Sequence, residues 1–403
     1  MGNIDELKQR IVDEVDARRD ELIRVSDTIH AKPELAFQEF EATALLTSVL
    51  EREGFTVQRG AAGLETAFVA SYTTPSLSPP LGGMKGGAVV AFLAEYDALA
   101  GLGHACGHNI IGTASVGAAL ALRPILDEIA GTIQVVGTPA EEGGAGKVIM
   151  AEAGVFDGVD VAMMVHPSTR TMTRRNALAC YDLTMEFFGQ AAHAAGSPDK
   201  GINALDACIL TYNNISALRQ QLTDDVRIHG IITHGGVAPN IIPDYTAANF
   251  LVRAEEKDHA LAVLDKVEDC ARAGALAAGA EVKLTRGEIY YANMVPSTVL
   301  ADLFDTNLTA LGREVQLPEP CGRMGSTDMG NVSHVVPALH PYIAIAPEEV
   351  AGHSPEFRAA AASPEGHAGL LDAAKALAMT AIDLFSNPDL VEAAWEEHRT
   401  RFG

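Results

Sequence analysis

Histidine and cysteine side chains are concentrated in one short segment, GHACGHNIIGT, which runs from Gly103 to Thr113. Cys106 and His108 are two residues apart there, so an extended turn could direct both side chains at one centre. Thiolate and imidazole groups both bind divalent ions such as zinc or manganese. The same segment also suits a cysteine nucleophile that uses His104 or His108 as its base. Spacing alone leaves a metal site, a nucleophile and incidental packing all open.

Two adjacent glutamates, Glu141 and Glu142, follow the apolar run GTIQVVGTPA. If this pair lies beside an ion, one carboxylate can bind it while the other acts as general base towards a polarised water. His166 follows a second apolar run, VAMMV, and His353 comes after a third, PYIAIA. Each feature alone is as easily a solvated pair or a core histidine. Their joint occurrence after successive apolar runs predicts one shared site.

Four apolar, β-branched runs must position these side chains: GAVVAFLAEYDA, GTIQVVGTPA, VDVAMMVHP and PYIAIAPEEV. Each run is short and apolar on both faces, as is typical of buried strands in a mostly parallel sheet. Helical patterns lie between them at 109–129 and 145–153, and the amino-terminal pattern predicts one helix over 4–30. Ligands of such sheets gather beyond the carboxyl ends of the strands. We therefore expect an α/β domain with a mixed, mostly parallel sheet flanked by helices.

The middle of the chain has a different pattern. Between about 180 and 290 the sequence predicts a strand, a helix, two strands, a helix and a strand, which is the ferredoxin-like order. Because the apolar strand pattern returns afterwards, this α+β segment is expected to be an insertion. We therefore assign 1–178 and 293–403 to one domain, which carries the candidate metal site, and 179–292 to an inserted domain.

Composition restricts the class of partner. The 403 residues carry 53 acidic and 29 basic side chains, a formal net charge of −24. Such a chain repels nucleic acid and anionic membranes, so neither is expected as a partner. The five cysteines are scattered, and neither a signal core nor a membrane-spanning run is evident. These features predict a soluble, cytoplasmic protein and say little about its substrate, because a local site can be positive on an acidic protein.

Six motifs taken together resemble the M20 metallopeptidase and amidohydrolase family. They are HACGHN, PAEEGGAGK, VHP, GQAAHAA, GGVAPNIIPD and AGHSPEF. The motifs keep their order over nearly the whole chain, which makes the set far more specific than any member. The longer segments AEYDALAGLGHACGHN and GSTDMGNVSH resemble the branch that contains aminoacylases, amino-acid-conjugate hydrolases and dipeptidases, near the aminobenzoyl-glutamate hydrolases.

The resemblance implies two divalent ions, zinc or manganese, around a shared water. The matched ligand positions are Cys106, His108, Glu142, His166 and His353. Glu141 matches the catalytic base, and Asp97 fits a carboxylate that orients a ligand histidine. Asn109 stands where many members of the branch have aspartate, which leaves the choice between zinc and manganese open.

The resemblance also assigns roles to the inserted domain. His193 matches a lid histidine that reaches the active site of the neighbouring subunit and stabilises the oxyanion, so a homodimer through the lid is implied. Asn240 and Arg253 match positions that hold the carboxylate of the substrate, a task that suits a guanidinium. The implied substrate is a dipeptide or an N-acyl amino acid with a free carboxylate, and the acyl group stays open.

Two other interpretations remain. A hydrolase scaffold can serve as a catalytically inactive ligand-binding or regulatory protein, because fold does not determine function. A cysteine hydrolase with Cys106 as nucleophile is the other, although it offers no role for the glutamate pair or for His166 and His353.

Overall fold

The computed structural model describes residues 4–74, 87–318 and 324–403 of the protein. These residues form two compact units. One unit contains residues 4–176, 295–318 and 331–403, and the other contains residues 177–294 and 324–330. The second unit is therefore inserted in the first, and it includes a returning segment, 324–330, that the sequence pattern does not indicate. Cys321 lies outside the described residues.

The regular elements are numbered in chain order. The strands are β1 (Thr56–Arg59), β2 (Phe68–Thr73), β3 (Val89–Ala94), β4 (Thr132–Gly137), β5 (Val161–Met163), β6 (His166–Ser168), β7 (Ala179–Phe188), β8 (Arg227–His234), β9 (Tyr245–Ala254), β10 (Glu281–Arg286), β11 (Ala338–Leu339) and β12 (Tyr342–Ala344). The helices are α1 (Ile4–Ala17), α2 (Arg19–Ala31), α3 (Phe40–Arg52), α4 (His108–Leu122), α5 (Gly146–Glu152), α6 (Ala204–Leu218), α7 (Lys257–Ala278), α8 (Thr298–Ala310), α9 (Met329–Ser333), α10 (Pro355–Ala360), α11 (Pro364–Ser386) and α12 (Pro388–Phe402).

The first unit is built on a sheet whose described strands have the order β1-β2-β4-β3-β5-β11. β3 runs parallel to both β4 and β5, and β5 runs parallel to β11. β1 and β2 form an antiparallel pair at one edge, and β2 continues antiparallel to β4. β3 and β4 are almost entirely buried because helices cover the sheet. The predicted α/β class with a mixed, mostly parallel sheet is confirmed.

Helix α4 fixes the segment that contains the candidate site. Every residue of α4 is buried, and the helix packs against α11 and β3. Its small residues allow this close approach, since a Cβ on Gly112 would lie 2.7 Å from the Glu95 carbonyl oxygen. His108 is the first residue of α4 and is therefore held by the core. None of the described helices is both long and apolar enough to cross a bilayer.

Two expectations about elements differ from the structure. The single helix expected over 4–30 is divided into α1 and α2 at Arg18, whose guanidinium forms two hydrogen bonds with the Glu53 carboxylate. The run PYIAIA does not join the main sheet. It forms β12, which pairs in parallel with β6 in a separate two-stranded sheet. Pro341 stands between β11 and β12 and lacks the amide that would continue the first ladder.

The second unit is a four-stranded antiparallel sheet of order β10-β7-β9-β8. Helices α6 and α7 pack against each other and against this sheet. Asn203 caps α6, because its side-chain oxygen accepts the backbone amides of Leu205 and Asp206. The element order and strand order are those of a ferredoxin-like fold, as predicted. β8 is an edge strand, and its Ile231 is 66% exposed.

Candidate metal centre

Cys106 and His108 converge because of the glycine between them. Gly107 has φ +81°, in the left-handed region that favours glycine, and it immediately precedes α4. A Cβ at this position would lie 2.8 Å from Pro167 Cγ. The glycine therefore permits both the sharp turn into α4 and its close approach to the β6 segment.

Asp97, just beyond the end of β3, orients His108. Its Oδ1 accepts a hydrogen bond from His108 Nδ1 at 2.9 Å, and its Oδ2 accepts the backbone amide of Glu142 at 3.0 Å. Burial acts to raise the pKa of Asp97, but the His108 imidazole, the Glu142 amide and Lys147 together outweigh burial and lower that pKa below its ordinary value. With Nδ1 engaged, His108 has only Nε2 left to bind an ion.

The glutamate pair follows a residue with unusual backbone geometry. Ala140 has φ +63°, in the left-handed region that costs a non-glycine residue about 1–2 kcal/mol. Its amide donates to Oε1 of the buried Glu39 at 2.9 Å. The same carboxylate accepts the Phe37 amide at 3.0 Å and the Thr66 hydroxyl at 2.8 Å. Glu39 thus holds the turn that presents Glu141 and Glu142.

His166 begins β6 and contacts Cys106. Its Nδ1 donates to the Pro167 carbonyl oxygen at 2.6 Å, which leaves Nε2 with its lone pair 3.3 Å from Cys106 Sγ. Burial lowers the pKa of His166 to about 4, so the ring is neutral near pH 7. A neutral imidazole is the form that binds metal ions.

His353 reaches the same place from the loop before α10. Its φ is +56°, and its amide donates to the Ala105 carbonyl oxygen at 3.1 Å, which ties the loop to the turn that carries Cys106. Its Nε2 lies 3.6 Å from Glu142 Oε1. The side chain is 55% exposed, so this flank of the centre opens to solvent. A left-handed conformation at an exposed histidine is typical of functional sites.

Among the described residues, three groups of side chains bring candidate ligand atoms within 4.8 Å of one another. They are Cys106 with His108 and His166, Cys106 with Glu142 and His353, and His108 with Glu141 and Glu142. The first two groups share the sulfur of Cys106. Four stretches of chain that are distant in sequence therefore meet at one thiol, an arrangement that suits two ions bridged by it.

The donor atoms fit divalent cations. His108 Nε2 and Glu142 Oε1 are buried without a hydrogen-bond partner in the described part of the chain, which costs about 1–3 kcal/mol for each unsatisfied group. Burial acts to lower the pKa of His108. The acidic groups of Cys106, Asp97 and Glu95 outweigh burial and raise that pKa well above its ordinary value. A cation would satisfy both the orphaned atoms and this surplus of acidic groups, and the sulfur, imidazole and carboxylate set suits zinc or manganese.

The alternative of a cysteine nucleophile with His104 as its base gains no support from the geometry. Burial raises the pKa of the Cys106 thiol well above its ordinary value. A nucleophilic cysteine needs the opposite, a lowered pKa in an electropositive setting. Neither ring nitrogen of His104 contacts the thiol in the described hydrogen bonds, so His104 has no evident role as base.

A cleft of about 420 Å³ opens beside the candidate centre within the first unit. It is lined by Cys106, His166 and His353 and also by Ser168, Arg175 and Tyr342. The Arg175 guanidinium lies 4.7 Å from the centroid of the Tyr342 ring, a cation–π contact that orients it. The cleft therefore combines candidate metal ligands with one cationic side chain.

The predicted lid residues lie in the second unit. Nδ1 of the exposed His193 accepts the backbone amides of Ala195 and Gly196 at 3.2 and 3.0 Å, so its proton is on Nε2. The backbone carbonyl oxygen of Asn240 accepts a hydrogen bond from the backbone amide of Ala194 at 3.0 Å, which places Asn240 beside His193. Arg253 donates to Ser326 Oγ at 3.0 Å.

Asn240 and Arg253 lie far apart within the second unit of a single chain. Arg253 lies near the carboxyl end of β9, whereas Asn240 precedes the amino end, so about 25 Å of extended strand separates them.

Three buried residues around the centre were not identified as site residues from the motifs. Glu39, which holds the Ala140 turn, is one of them. Glu95 and Lys147 form an ion pair of 2.5 Å, with their side chains 1% and 0% exposed. A lysine within the apolar segment KVIM was the available signal, because lysine is almost never fully buried unless it is paired.

Known proteins resemble this chain over nearly its full length. The model of Peptidase family M20/M25/M40 matches residues 91–376. The chain is 41% identical over 405 residues to the Xaa-Arg dipeptidase of Mus musculus, across 98% of this chain and 93% of that relative. It is 29% identical over 468 residues to a subunit of the p-aminobenzoyl-glutamate hydrolase of Escherichia coli strain K12, across 98% and 95% of the two chains.

A solved structure has the same fold. It is a Bacillus subtilis protein described as a dinuclear metal binding peptidase from the M20 family, and it superimposes with a TM-score of 0.69 at 21% identity. The match covers 92% of this chain and 99% of that chain.

Proposed function

The chain belongs to peptidase family M20/M25/M40, and we propose that it hydrolyses the amide bond of a dipeptide that ends in a basic amino acid. Membership confirms the resemblance carried by the motifs and the prediction of an amidohydrolase or dipeptidase. The observation that carries the proposal is the pair of candidate ligand groups that share Cys106 and lie beside an open cleft.

In this proposal, some residues of the centre bind the metal ions and another transfers a proton. Cys106, His108 and His166 would hold one divalent ion, and Cys106, Glu142 and His353 would hold the other. Bound ions of this kind lower the pKa of water and polarise a carbonyl group.

Glu141, which belongs to the third group with His108 and Glu142, is our candidate for the general base. Its carboxylate takes a proton from the attacking water and returns it to the leaving amine. Asp97 contributes by holding His108 and the Glu142 backbone in register.

The relatives guide the choice of substrate. One relative is named for dipeptides ending in arginine and the other for a glutamate conjugate, and both substrates carry a free carboxylate. The greater identity to the first relative favours a basic terminal residue. Arg175 lines the cleft and suits the carboxylate, since a guanidinium binds it with two parallel hydrogen bonds.

We propose that the second unit carries the remaining groups expected to act on the substrate. His193 carries its proton on Nε2, the nitrogen free to donate to a developing oxyanion, a contact typically worth about 3 kcal/mol. Because Asn240 lies beside His193 and far along β9 from Arg253, we propose that the partner subunit of a homodimer supplies His193 and Asn240.

A substrate panel tests the proposal directly. The protein is stripped with EDTA and reconstituted with zinc or manganese, then offered dipeptides ending in arginine, lysine or glutamate, N-acyl amino acids and aminobenzoyl-glutamate. We expect metal-dependent turnover with preference for the basic dipeptides. Full activity in EDTA would contradict the metal-dependent mechanism. A preference for glutamate conjugates would contradict the assignment of a basic terminal residue.

The two adjacent glutamates provide a sharper test of roles. Glu141→Gln should retain the metal and lose about 100-fold or more of the rate, as expected when a general base is removed. Glu142→Gln should lose metal affinity instead. If Glu141→Gln keeps the full rate with metal bound, Glu141 is not the base.

A further inference from the structure

The Glu95–Lys147 ion pair lies beside His108. Glu95 comes just after β3, and Lys147 is in the first turn of α5. The Lys147 Nζ contacts Glu95 Oε1 at 2.5 Å, and both side chains are buried. Burying two charges costs free energy, and a buried ion pair does not by itself stabilise a fold. The pair is therefore better explained by the side chains that it positions.

The second carboxylate oxygen of Glu95 faces the candidate metal centre. Glu95 Oε2 lies 3.4 Å from His108 Nε2, the nitrogen left to bind an ion. This oxygen has no hydrogen-bond partner among the described residues. Even so, Glu95 belongs to none of the three candidate ligand groups found among the described residues.

We propose that Lys147 is a positioning residue that holds Glu95 beside His108 and out of the coordination sphere of the ion. The inference rests on the metal centre of the proposed function. A carboxylate next to a divalent cation can bind it unless other groups hold its oxygen atoms, as His108 and the Glu142 amide hold those of Asp97. For Glu95, the charged group in contact is Lys147. Catalytic metal sites keep a position open for water or substrate, and a further carboxylate ligand would close it.

The ion pair also joins two strand ends that carry chemistry. Glu95 is two residues before Asp97, and Lys147 is on the helix that follows the Glu141–Glu142 turn. Loss of Lys147 therefore changes both the charge beside His108 and the restraint on that turn. A double variant separates these two effects.

Cobalt spectroscopy tests the proposal without reference to turnover. The protein is loaded with Co²⁺, and the d–d absorption bands and the Co²⁺ affinity are measured for the wild type, Lys147→Met and Lys147→Met/Glu95→Gln. Lys375→Met is the matched control, because Lys375 is 8% exposed and pairs with Asp16 at 2.6 Å elsewhere in the first unit. Thermal unfolding establishes that each variant is folded.

Lys147→Met should free Glu95 to bind the ion. We expect the d–d absorption to fall severalfold as coordination number rises, Co²⁺ to bind more tightly, and peptidase activity to fall about 10- to 100-fold. The double variant should regain the wild-type spectrum, because a neutral amide is a poor ligand, and Lys375→Met should leave the spectrum unchanged.

The outcomes distinguish this inference from the function on which it rests. A Lys147→Met spectrum identical to that of the wild type, or a changed spectrum that persists in the double variant, overturns the role of Lys147. A wild-type protein without thiolate-to-cobalt charge transfer overturns the metal centre itself.

Discussion

Asp97 accepts a hydrogen bond from Nδ1 of His108 at 2.9 Å while its other oxygen accepts the Glu142 amide at 3.0 Å. One carboxylate thus aligns two candidate ligands from different parts of the chain. Because His108 belongs to one ligand group that contains Cys106 and Glu142 to the other, Asp97 couples the geometry of both.

Replacing Asp97 should therefore weaken metal binding. We expect Asp97→Asn to lower the affinity for zinc or manganese, and the activity, by about 10- to 100-fold, as is common for carboxylates that orient a ligand histidine. Competition with a chromogenic chelator measures the affinity. Asp160→Asn is the control, since Asp160 accepts the Val89 amide at 2.7 Å at the opposite end of β3. Equal losses of metal affinity in the two variants would show that Asp97 does not orient the ligands.

Ion stoichiometry should separate the two ligand groups. The groups share Cys106 but differ in His166 and His353, so under the proposed function each histidine would serve one ion. We expect two ions per wild-type chain, one in His166→Ala, one in His353→Ala and none tightly held in Cys106→Ala. Elemental analysis after gel filtration measures this, with His367→Ala as control, because His367 pairs with Asp27 outside the centre. Loss of both ions in every histidine variant would mean that the two positions are not separable.

Gly107 should be intolerant of a side chain. Gly107→Ala places an alanine at φ +81°, which costs about 1–2 kcal/mol, and adds a contact with Pro167 at 2.8 Å. Gly101→Ala is the matched control, because Gly101 has φ +72° and a Cβ there would meet no atom within 4 Å. Chemical denaturation should show a larger loss of unfolding free energy for Gly107→Ala, together with weaker metal binding. Equal losses would show that the contact with Pro167 relaxes freely.

Arg175 should act on substrate binding more than on turnover. Arg175→Ala removes the cation that lines the cleft, so we expect KM for dipeptides to rise about tenfold or more, as for a lost charged hydrogen bond. The neighbouring Arg174 is the control, since its guanidinium pairs with Asp302 and Asp305. Steady-state kinetics measures both variants. An unchanged KM in Arg175→Ala would leave Arg253 as the better candidate for the carboxylate.

Much of the centre was predictable because its residues stand immediately after apolar runs. His108, Glu142 and Asp97 follow strands or turns at the carboxyl end of a parallel sheet, where chain topology forces side chains together. The order of strands and helices in the inserted unit was predictable for a similar reason, since alternation and helical periodicity are local properties.

Other features depended on contacts between distant parts of the chain. Pro341 at the start of the run PYIAIA is compatible with a break in the main sheet, but the pairing of β12 with β6 follows only from the fold. Glu39 is far in sequence from Ala140, so its role in the turn follows only from the fold. The partner of Lys147 is likewise decided by packing, because Glu95 lies after a different strand and far away in the sequence.

The sequence alone determined the class of fold, the family and the kinds of ligand atoms, because these depend on periodicity and on motifs that are short and ordered. The tertiary structure decided which of those atoms share a centre, which nitrogen of each histidine is available, and which charged side chains lie next to them. Such relationships are set by hydrogen bonds and packing between segments far apart in the chain, and no local pattern encodes a distance of that kind.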